Sequence, residues 1–373
     1  MNILMQFSCE KALLQSAIST ASRAVAAKSS IPALEGILLE AGDGLTVSGY
    51  NMNTGIRTHL EAEVSQRGEL VLNARLFGEI VRRMPDDVIS VTADEKYVVK
   101  LICGDASFEI PGLSAADFPE LPEVDNQNSV SLAQNLLRAM IGETAFAVST
   151  NESRPIHTGS LFEIDDTGLT MVSVDGFRLA LRREKLEHMA GGAFSFVAPG
   201  SALNEVEKIC ADTEELASII LGQRHILFEV GDTQLICRRL EGEFLDYRNA
   251  IPRKNPITVE VETRDLMSSI DRVSVVISEK LKSPVRCVFG SGSVKLSART
   301  ASGDASDVCP ISGDGQGLEI GFNNRYLMEA LRYAPADTVK IELNTGISPC
   351  IIVPTEGEEN FLYMVLPVRL KAQ

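Results

Sequence analysis

The residues that could support acid–base, nucleophilic or metal chemistry are scattered along this chain. Its four histidines lie far apart, and its seven cysteines occur singly, without a Cys-x-x-Cys pair. Zinc sites need closely spaced histidine and cysteine ligands, and covalent catalysis needs a nucleophile beside a base. The sequence also lacks a Walker A loop, a Gly-x-Ser-x-Gly elbow and a His-Glu-x-x-His motif. It therefore predicts no catalytic residues, no metal site and no cofactor.

The cysteine pattern and the hydropathy indicate a compartment. An odd number of scattered cysteines is typical of reduced structural thiols. No apolar run approaches the ~18 residues that a membrane span needs. The first residues lack the charged and apolar stretches of a secretory signal. We therefore expect a cytoplasmic protein.

One order of sequence elements occurs three times in the 373 residues. Similar strand-and-turn segments lie at 36–47, 159–172 and 287–296. So long a period indicates three copies of a domain of about 120 residues rather than a solenoid of short units. Proline-bearing linkers at 118–123 and 251–256 separate the copies. The expected domains are 1–122, 123–253 and 254–373.

Each copy contains two stretches with the apolar spacing of an amphipathic helix. These are 9–23, 74–84, 131–146, 199–211, 263–278 and 323–333. Short β-branched runs between them predict strands. Each copy should therefore pack two helices on antiparallel sheet, which is an α+β architecture.

The charge is unevenly distributed between helices and the rest of the chain. The total is −16, which argues against a nucleic-acid partner. The six predicted helices, however, contain eleven basic and eight acidic residues, a net +3, which leaves −19 for the strands and loops. If the helices share one surface, that surface is mildly basic, and its local sign matters more than the total. The alternative is that the helix charges are simply solvated.

Five segments, in matching order and spacing, resemble the family of bacterial DNA polymerase III beta subunits, the replicative sliding clamps. They are 113–119, 174–179, 242–248, 321–326 and 364–370. The resemblance extends over essentially the full length. It implies a threefold-repeated clamp domain and a head-to-tail dimeric ring with helices inside and sheets outside. It also implies a non-enzymatic function, in which the ring encircles duplex DNA and gives the replicative polymerase processivity.

The same resemblance implies the partners. They are sequence-independent duplex DNA, the polymerase III catalytic subunit, a clamp loader, and other polymerases and repair proteins that carry a short clamp-binding peptide. The matching DNA-contact positions are Lys28, Arg75, Asn151, Pro155 and Ile156. The last two depart from the family pattern, which has aromatic residues there, and proline and isoleucine cannot stack on bases.

The family's peptide pocket lies between the second and third domains. Matching positions here are His157, Val174, Gly176, Phe177, Arg178, Leu179, Leu245, Ala250, Asn323, Tyr326, Ile347, Met364, Leu366, Pro367, Val368 and Arg369. Aliphatic walls and an adaptable methionine suit short hydrophobic peptide anchors. Arg178, Asn323 and Arg369 are expected to bind peptide backbone and carboxylates. Phe177 and Leu245 replace the histidine and proline of the family pattern.

Simpler interpretations stay open for part of this set. Val174 and Leu179 also fit ordinary strand core, and the tail 364–370 also fits a plain final strand. For ring closure, the candidate sheet edges are 97–110 and 285–298. The competing hypothesis is a monomeric scaffold of the same fold that binds proteins but does not encircle DNA. A third is an enzyme with an unrecognised site, which the isolated histidines oppose.

Overall fold

The computed structural model describes residues 3–125, 128–186, 188–190, 192–278, 283–357 and 360–370, with the side chains of 188–190 excepted. The chain divides into two compact units. Unit 1 comprises Met1–Arg138, Glu187–Gly192 and Asn204–Arg239. Unit 2 comprises Ala139–Leu186, Ala193–Leu203 and Leu240–Gln373. No helix in the described ranges is both long and apolar enough to cross a membrane.

All six predicted helices are present, and a seventh, very short one lies just before the second linker. They are α1 Lys11–Ser22, α2 Ala74–Arg83, α3 Gln134–Ala145, α4 Gly200–Ile209, α5 Tyr247–Ala250, α6 Thr263–Ser274 and α7 Asn324–Arg332. Three 3₁₀ turns lie at Pro32–Glu35, Ala115–Asp117 and Pro155–Thr158. Asparagine side chains begin two of the helices: Asn73 accepts the Leu76 N–H at 3.0 Å, and Asn323 caps α7.

The strands in the described residues number 24. They are β1 Ile3–Glu10, β2 Gly36–Ala41, β3 Leu45–Tyr50, β4 Thr54–Leu60, β5 Glu63–Gln66, β6 Gly68–Asn73, β7 Val88–Asp94, β8 Val98–Cys103, β9 Ala106–Pro111, β10 Asn128–Ala133, β11 Gly159–Asp165, β12 Gly168–Val174, β13 Arg178–Glu184, β14 His188–Ala190, β15 Phe194–Pro199, β16 Leu216–Leu221, β17 His225–Val230, β18 Thr233–Arg238, β19 Ile257–Glu262, β20 Val285–Thr300, β21 Gly303–Phe322, β22 Thr338–Leu343, β23 Cys350–Pro354 and β24 Phe361–Val365. Every pairing between them is antiparallel.

Unit 1 contains two sheets and one main core. The five-stranded sheet has the order β5-β1-β7-β8-β9, and the nine-stranded sheet has the order β14-β10-β16-β17-β18-β4-β3-β2-β6. Helices α1 and α2 bury one face each, led by Leu14, Ile18, Phe77 and Val81. The apolar faces of both helices pack in the core of unit 1, as the helical spacing predicts.

Unit 2 contains one ten-stranded sheet of order β15-β11-β12-β13-β24-β23-β22-β19-β21-β20. Strand β24, near the chain end, pairs with β13, so the last strand of the third repeat completes the sheet of the second. Unit 1 has the equivalent pairing between repeats, in which β18 of the second repeat pairs with β4 of the first. In both units, therefore, the sheet runs without a break from one repeat to the next.

The two edges predicted for ring closure are sheet edges in the structure. Strand β9 ends the five-stranded sheet and β20 ends the ten-stranded sheet. On β9, Phe108 lies opposite the buried Leu101 and so faces the core, yet it is 39% exposed. The core of unit 1 is thus open at this edge, which is a position for a partner strand or surface.

The glycine-rich segment 313–317 lies within β21, beside register shifts of its pairing with β20. Gly315 packs so closely on Phe289 that a Cβ would clash, so the glycines here permit a bulged strand. The alternative interpretation of the tail 364–370 as a plain final strand is wrong, because β24 stops at Val365 and residues 366–370 are irregular.

The cysteines in the described residues are all free and buried. Burial raises the pKa of Cys9, Cys237 and Cys287 to about 12. Since the thiolate is the reactive form, these thiols are inert at neutral pH.

Candidate peptide-binding site

The aliphatic members of the predicted pocket lie together in unit 2. Val174 pairs with Leu179 across β12 and β13, and Leu179 pairs with Met364 across β13 and β24. All three side chains are buried in one hydrophobic cluster. Ala250 and Leu366 are partly buried against the same cluster. This cluster forms a hydrophobic floor built from two successive repeats.

A tight turn between β12 and β13 presents Phe177 to solvent. The Asp175 carboxylate accepts the backbone N–H groups of Phe177 at 2.9 Å and Arg178 at 3.1 Å. Gly176 has a φ of 89°, which favours glycine. The carbonyl of Phe177 accepts the Leu366 N–H at 2.9 Å. The backbone is therefore fixed on both sides, while the Phe177 side chain is 59% exposed.

Arg178 is buried, and each of its three side-chain nitrogens donates a hydrogen bond within the chain. Its Nε donates to Asp175 at 2.9 Å, one terminal nitrogen donates to the Phe146 carbonyl at 2.6 Å, and the other donates to Glu329. Its guanidinium lies over the Tyr326 ring at 4.6 Å and near the Phe146 ring at 5.4 Å. Arg178 therefore orients Tyr326, a different function from the expected capture of a peptide carboxylate.

The carboxylate beside Arg178 stays ionised. Burial acts to raise the pKa of Glu329, but hydrogen bonds from Arg178 and Arg325 outweigh it and hold that pKa below its ordinary value. Burial raises the pKa of Tyr326, so its hydroxyl stays protonated. Glu329 is thus ionised at neutral pH beside a neutral phenol.

Asn323 is also engaged internally. Its side-chain oxygen accepts the N–H groups of Arg325 at 3.0 Å and Tyr326 at 3.4 Å, and so caps α7. The cap and Arg178 together fix the Tyr326 ring, on which Phe177 stacks with centroids 6.1 Å apart. The expected contact of Asn323 with peptide backbone would have to come from its amide nitrogen.

The remaining pocket positions are more exposed. Leu245 and Ile347 are 42% and 78% exposed, and Arg369 is exposed. Pro367 and Val368 are half-buried, and the Val368 N–H donates to the Gly321 carbonyl at 2.8 Å. Exposed aliphatic side chains of this kind are available to a ligand.

His157 packs edge-to-face on Phe244, with ring centroids 5.6 Å apart. Burial, assisted by Arg154, lowers the pKa of His157, so the ring is neutral at neutral pH. It therefore contributes an apolar surface and no positive charge.

The predicted DNA-contact residues fall in both units, and each is described in its own unit. In unit 1, Lys28 lies in an exposed loop and Arg75 is exposed on α2. In unit 2, Asn151 is exposed and accepts the Ser153 N–H at 3.0 Å, and Pro155 is exposed. Ile156 instead packs against the hydrophobic floor that contains Val174 and Met364. Its side chain is thus placed to support the candidate peptide site.

The residues that sequence reasoning missed are Phe146, Glu329 and Phe244. The Phe146 ring stacks on Tyr333 with centroids 4.9 Å apart, and the Phe146 carbonyl accepts a hydrogen bond from Arg178. Glu329 was counted only as a helix charge, yet it pairs with Arg178, 151 residues away in the chain. The one sequence pattern that could have indicated an ion pair of Glu329 was its i, i+4 spacing from Arg325 on α7.

Known proteins resemble this chain along its whole length. Family models described as the N-terminal, central and C-terminal domains of the DNA polymerase III beta subunit match residues 5–122, 131–246 and 248–369. Curated relatives named beta sliding clamp include that of Halalkalibacterium halodurans, 30% identical, and that of Bacillus subtilis, 29% identical. Each comparison covers 98% of this chain and 100% of the relative. The crystal structure of the DNA polymerase sliding clamp from Bacillus subtilis superposes with a TM-score of 0.94 at 28% identity, covering 98% of this chain and 100% of that one. The predicted three-domain α+β clamp fold is confirmed.

Proposed function

This chain belongs to the DNA polymerase III beta subunit family, and we propose that it works as a sliding clamp, a homodimeric ring that encircles duplex DNA. The observation that carries the proposal is the succession of all three clamp domains along one chain. We propose domain boundaries near 122 and 253. The expected effect is that the replicative polymerase becomes processive, while the clamp itself catalyses no reaction.

Ring closure is supported by the two sheet edges. Strands β9 and β20 each lack a partner strand on one side in the described residues. Phe108 exposes core-facing apolar surface at the first of these edges. In a head-to-tail dimer, the β9 edge of each protomer would meet the β20 edge of the other. The two junctions would cover all four edges and close the ring.

Contact with DNA is supported by cations on three helices. Most helix cations are paired, for example Arg82 with Glu79 and Arg272 with Asp307. Each repeat also has one exposed helix arginine that forms no ion pair with any described residue. These are Arg75, Arg138 and Arg332. A few unpaired cations on an acidic protein favour weak phosphate contacts without base recognition, which permit sliding.

The candidate peptide-binding site gives the clamp its protein partners. The exposed side chains of Phe177, Leu245 and Ile347 offer apolar surface to a short hydrophobic peptide. Leu179 and Met364 belong to the buried hydrophobic cluster of the same unit. We propose the polymerase III catalytic subunit, the clamp loader, and other polymerases and repair proteins as the carriers of such peptides.

The test is retention on nicked circular plasmid. The chain is loaded with a clamp loader and ATP, separated from free protein by gel filtration, and then the plasmid is linearised. We expect loader-dependent retention that is lost on linearisation, together with a light-scattering mass of twice the 40.4 kDa of one chain. No retention, with the mass of a single chain, would overturn the ring and favour the monomeric scaffold.

A further inference from the structure

The segments that precede the two linkers are held to their sheets in the same way. A bridge between Val71 and Leu113 ties the segment before the first linker to β6 in unit 1, and a bridge between Val197 and Leu240 ties the segment before the second linker to β15 in unit 2. The pairing of β4 with β18 corresponds likewise to the pairing of β13 with β24. By internal repetition, unit 1 has a position equivalent to the candidate peptide-binding site of unit 2.

A groove of about 990 Å³ lies at that position, between residues 115–125, which contain the first linker, and the face of the nine-stranded sheet that carries Leu38. We call it the linker groove. The buried Phe118 packs with Tyr50 and anchors the linker. Leu121 lies over Gly55, where a Cβ would be 2.9 Å from Leu121 Cδ2. The linker is therefore held over the sheet by these side chains, and its packing fixes one wall of the groove.

The floor of the linker groove is apolar. Leu38, Leu227 and Ile236 line it from three strands of the same sheet. Leu227 and Ile236 are directly opposite each other on β17 and β18, and Leu227 is half-buried. An aliphatic or aromatic side chain would bury this surface.

The walls of the linker groove are strongly acidic. They contain the carboxylates of Glu40, Glu69, Glu120, Glu123 and Asp125. None of these five forms an ion pair with a described residue, and Arg57 is the one basic residue of the lining. Glu40 and Glu69 are direct neighbours on β2 and β6, an arrangement of like charges that opposes pairing. A bound cation would relieve that repulsion.

We propose that the linker groove is a second docking site, and that it binds an extended basic peptide of a partner protein with at least one apolar anchor. Lysine or arginine side chains would neutralise the acidic walls while the anchor covers Leu227 and Ile236. The charge excludes DNA phosphate as the occupant. Because the groove lies in unit 1, it is available in addition to the peptide-binding site of unit 2.

The probe is a fluorescein-labelled nonapeptide of alternating lysine and leucine, with a matched peptide in which glutamate replaces lysine. Binding is followed by anisotropy, and the site is mapped by methyl NMR of leucine- and isoleucine-labelled protein. We expect saturable binding of the lysine peptide alone, with shifts of the Leu227 and Ile236 methyl signals. No saturable binding below about 1 mM, equal binding of the glutamate peptide, or shifts confined to unit 2 would overturn the proposal.

The deciding variant is Glu40→Lys. It places opposite charges at positions 40 and 69, which favours the fold, and it adds repulsion toward the peptide. We expect the lysine peptide to bind about fivefold more weakly. The matched control is Glu61→Lys, an exposed carboxylate of unit 1 outside the groove, which should leave binding unchanged. Equal losses in both variants would show a general charge effect and refute the site. Spermine that displaces the peptide completely and reproduces the methyl shifts would also refute a peptide-specific groove.

Discussion

The Arg178 guanidinium lies 4.6 Å from the centroid of the Tyr326 ring. Arg178 is buried, whereas Tyr326 also stacks on the exposed Phe177. One contact thus links a buried ion-pair network to the exposed surface of the candidate peptide-binding site. Substitutions at the inner and outer ends of this stack should therefore have separable effects.

Replacement of Arg178 should destabilise the fold. Arg178→Ala leaves the half-buried carboxylates of Asp175 and Glu329 without their shared cation. We expect the unfolding transition of unit 2 to lose about 3 kcal/mol in urea titrations. Arg299→Ala, which breaks an exposed pair with Asp304, is the control and should cost less than about 1 kcal/mol. Equal stability of the two variants would refute this account of Arg178.

Replacement of Phe177 should weaken peptide binding and leave stability almost unchanged. The side chain is mostly exposed, and its backbone contacts persist in Phe177→Ala. Loss of an aromatic surface should reduce affinity for a hydrophobic clamp-binding peptide about tenfold. Calorimetry of peptide binding by wild type, by Phe177→Ala and by the exposed unit 1 variant Leu216→Ala measures this. A loss of affinity in both variants, or in neither, contradicts the prediction.

Glu143 should make stability depend on pH. Arg182 Nε lies 3.0 Å from the Glu143 carboxylate, but without hydrogen-bond geometry. Burial raises the pKa of Glu143 from 4.5 to about 7, although Arg182 opposes this. Because the folded pKa is above the unfolded one, the stabilisation is complete below pH 4.5 and is lost as the pH rises through about 7.

The measurement is the difference in unfolding free energy between wild type and Glu143→Gln from pH 4 to 8. Glutamine cannot ionise, so the variant should gain stability relative to wild type over that window. The exposed substitution Glu61→Gln serves as the control and should follow wild type. A constant difference across the window would show that Glu143 does not titrate there.

Phe108 should hold the dimer together. It is exposed at the edge of β9 while facing the core side of the sheet. We expect Phe108→Asp to give monomers in light scattering at concentrations at which wild type is dimeric, because a charge there cannot be buried in the interface. Ile102→Asp is the matched control, since Ile102 is 40% exposed on the opposite face. Monomers from the control alone would place the interface elsewhere.

Arg75, Arg138 and Arg332 should contribute to DNA affinity through charge. Each substitution by alanine should weaken binding to any DNA sequence and reduce the slope of log affinity against log salt by about 1. Fluorescence anisotropy with a short duplex over a range of salt concentrations measures both quantities. Arg299→Ala, on the ten-stranded sheet, should leave the slope unchanged. Unchanged slopes in all three helix variants would remove these residues from the DNA surface.

The local elements could be predicted from the sequence because their signals are local. The spacing of Leu76, Phe77, Ile80 and Val81 marks one face of α2, and the structure buries Phe77, Ile80 and Val81. The extra helix α5 was missed because four residues are too few for a period. Its start depends on one capping contact, from the Asn249 N–H to Asp246.

The long-range arrangement could not be predicted from the same patterns. Nothing in the alternation of β13 indicates that it pairs with β24, because any apolar strand could satisfy that edge. The partners of Arg178 depend on that pairing, so its internal contacts were missed and a ligand contact was expected instead. The pocket positions themselves came from resemblance to a family and remain a prediction.

The pairing of β13 with β24 also has a consequence for biosynthesis. Strand β13 belongs to the second repeat, whereas β24 follows the rest of the third repeat in the chain. During translation, the edge of β13 must therefore stay unpaired until β24 has left the ribosomal exit tunnel. The second repeat cannot complete its sheet as it emerges, although the first repeat can do so once β18 has left the exit tunnel. Nascent chains should accordingly expose the β13 edge to chaperones throughout synthesis of the third repeat.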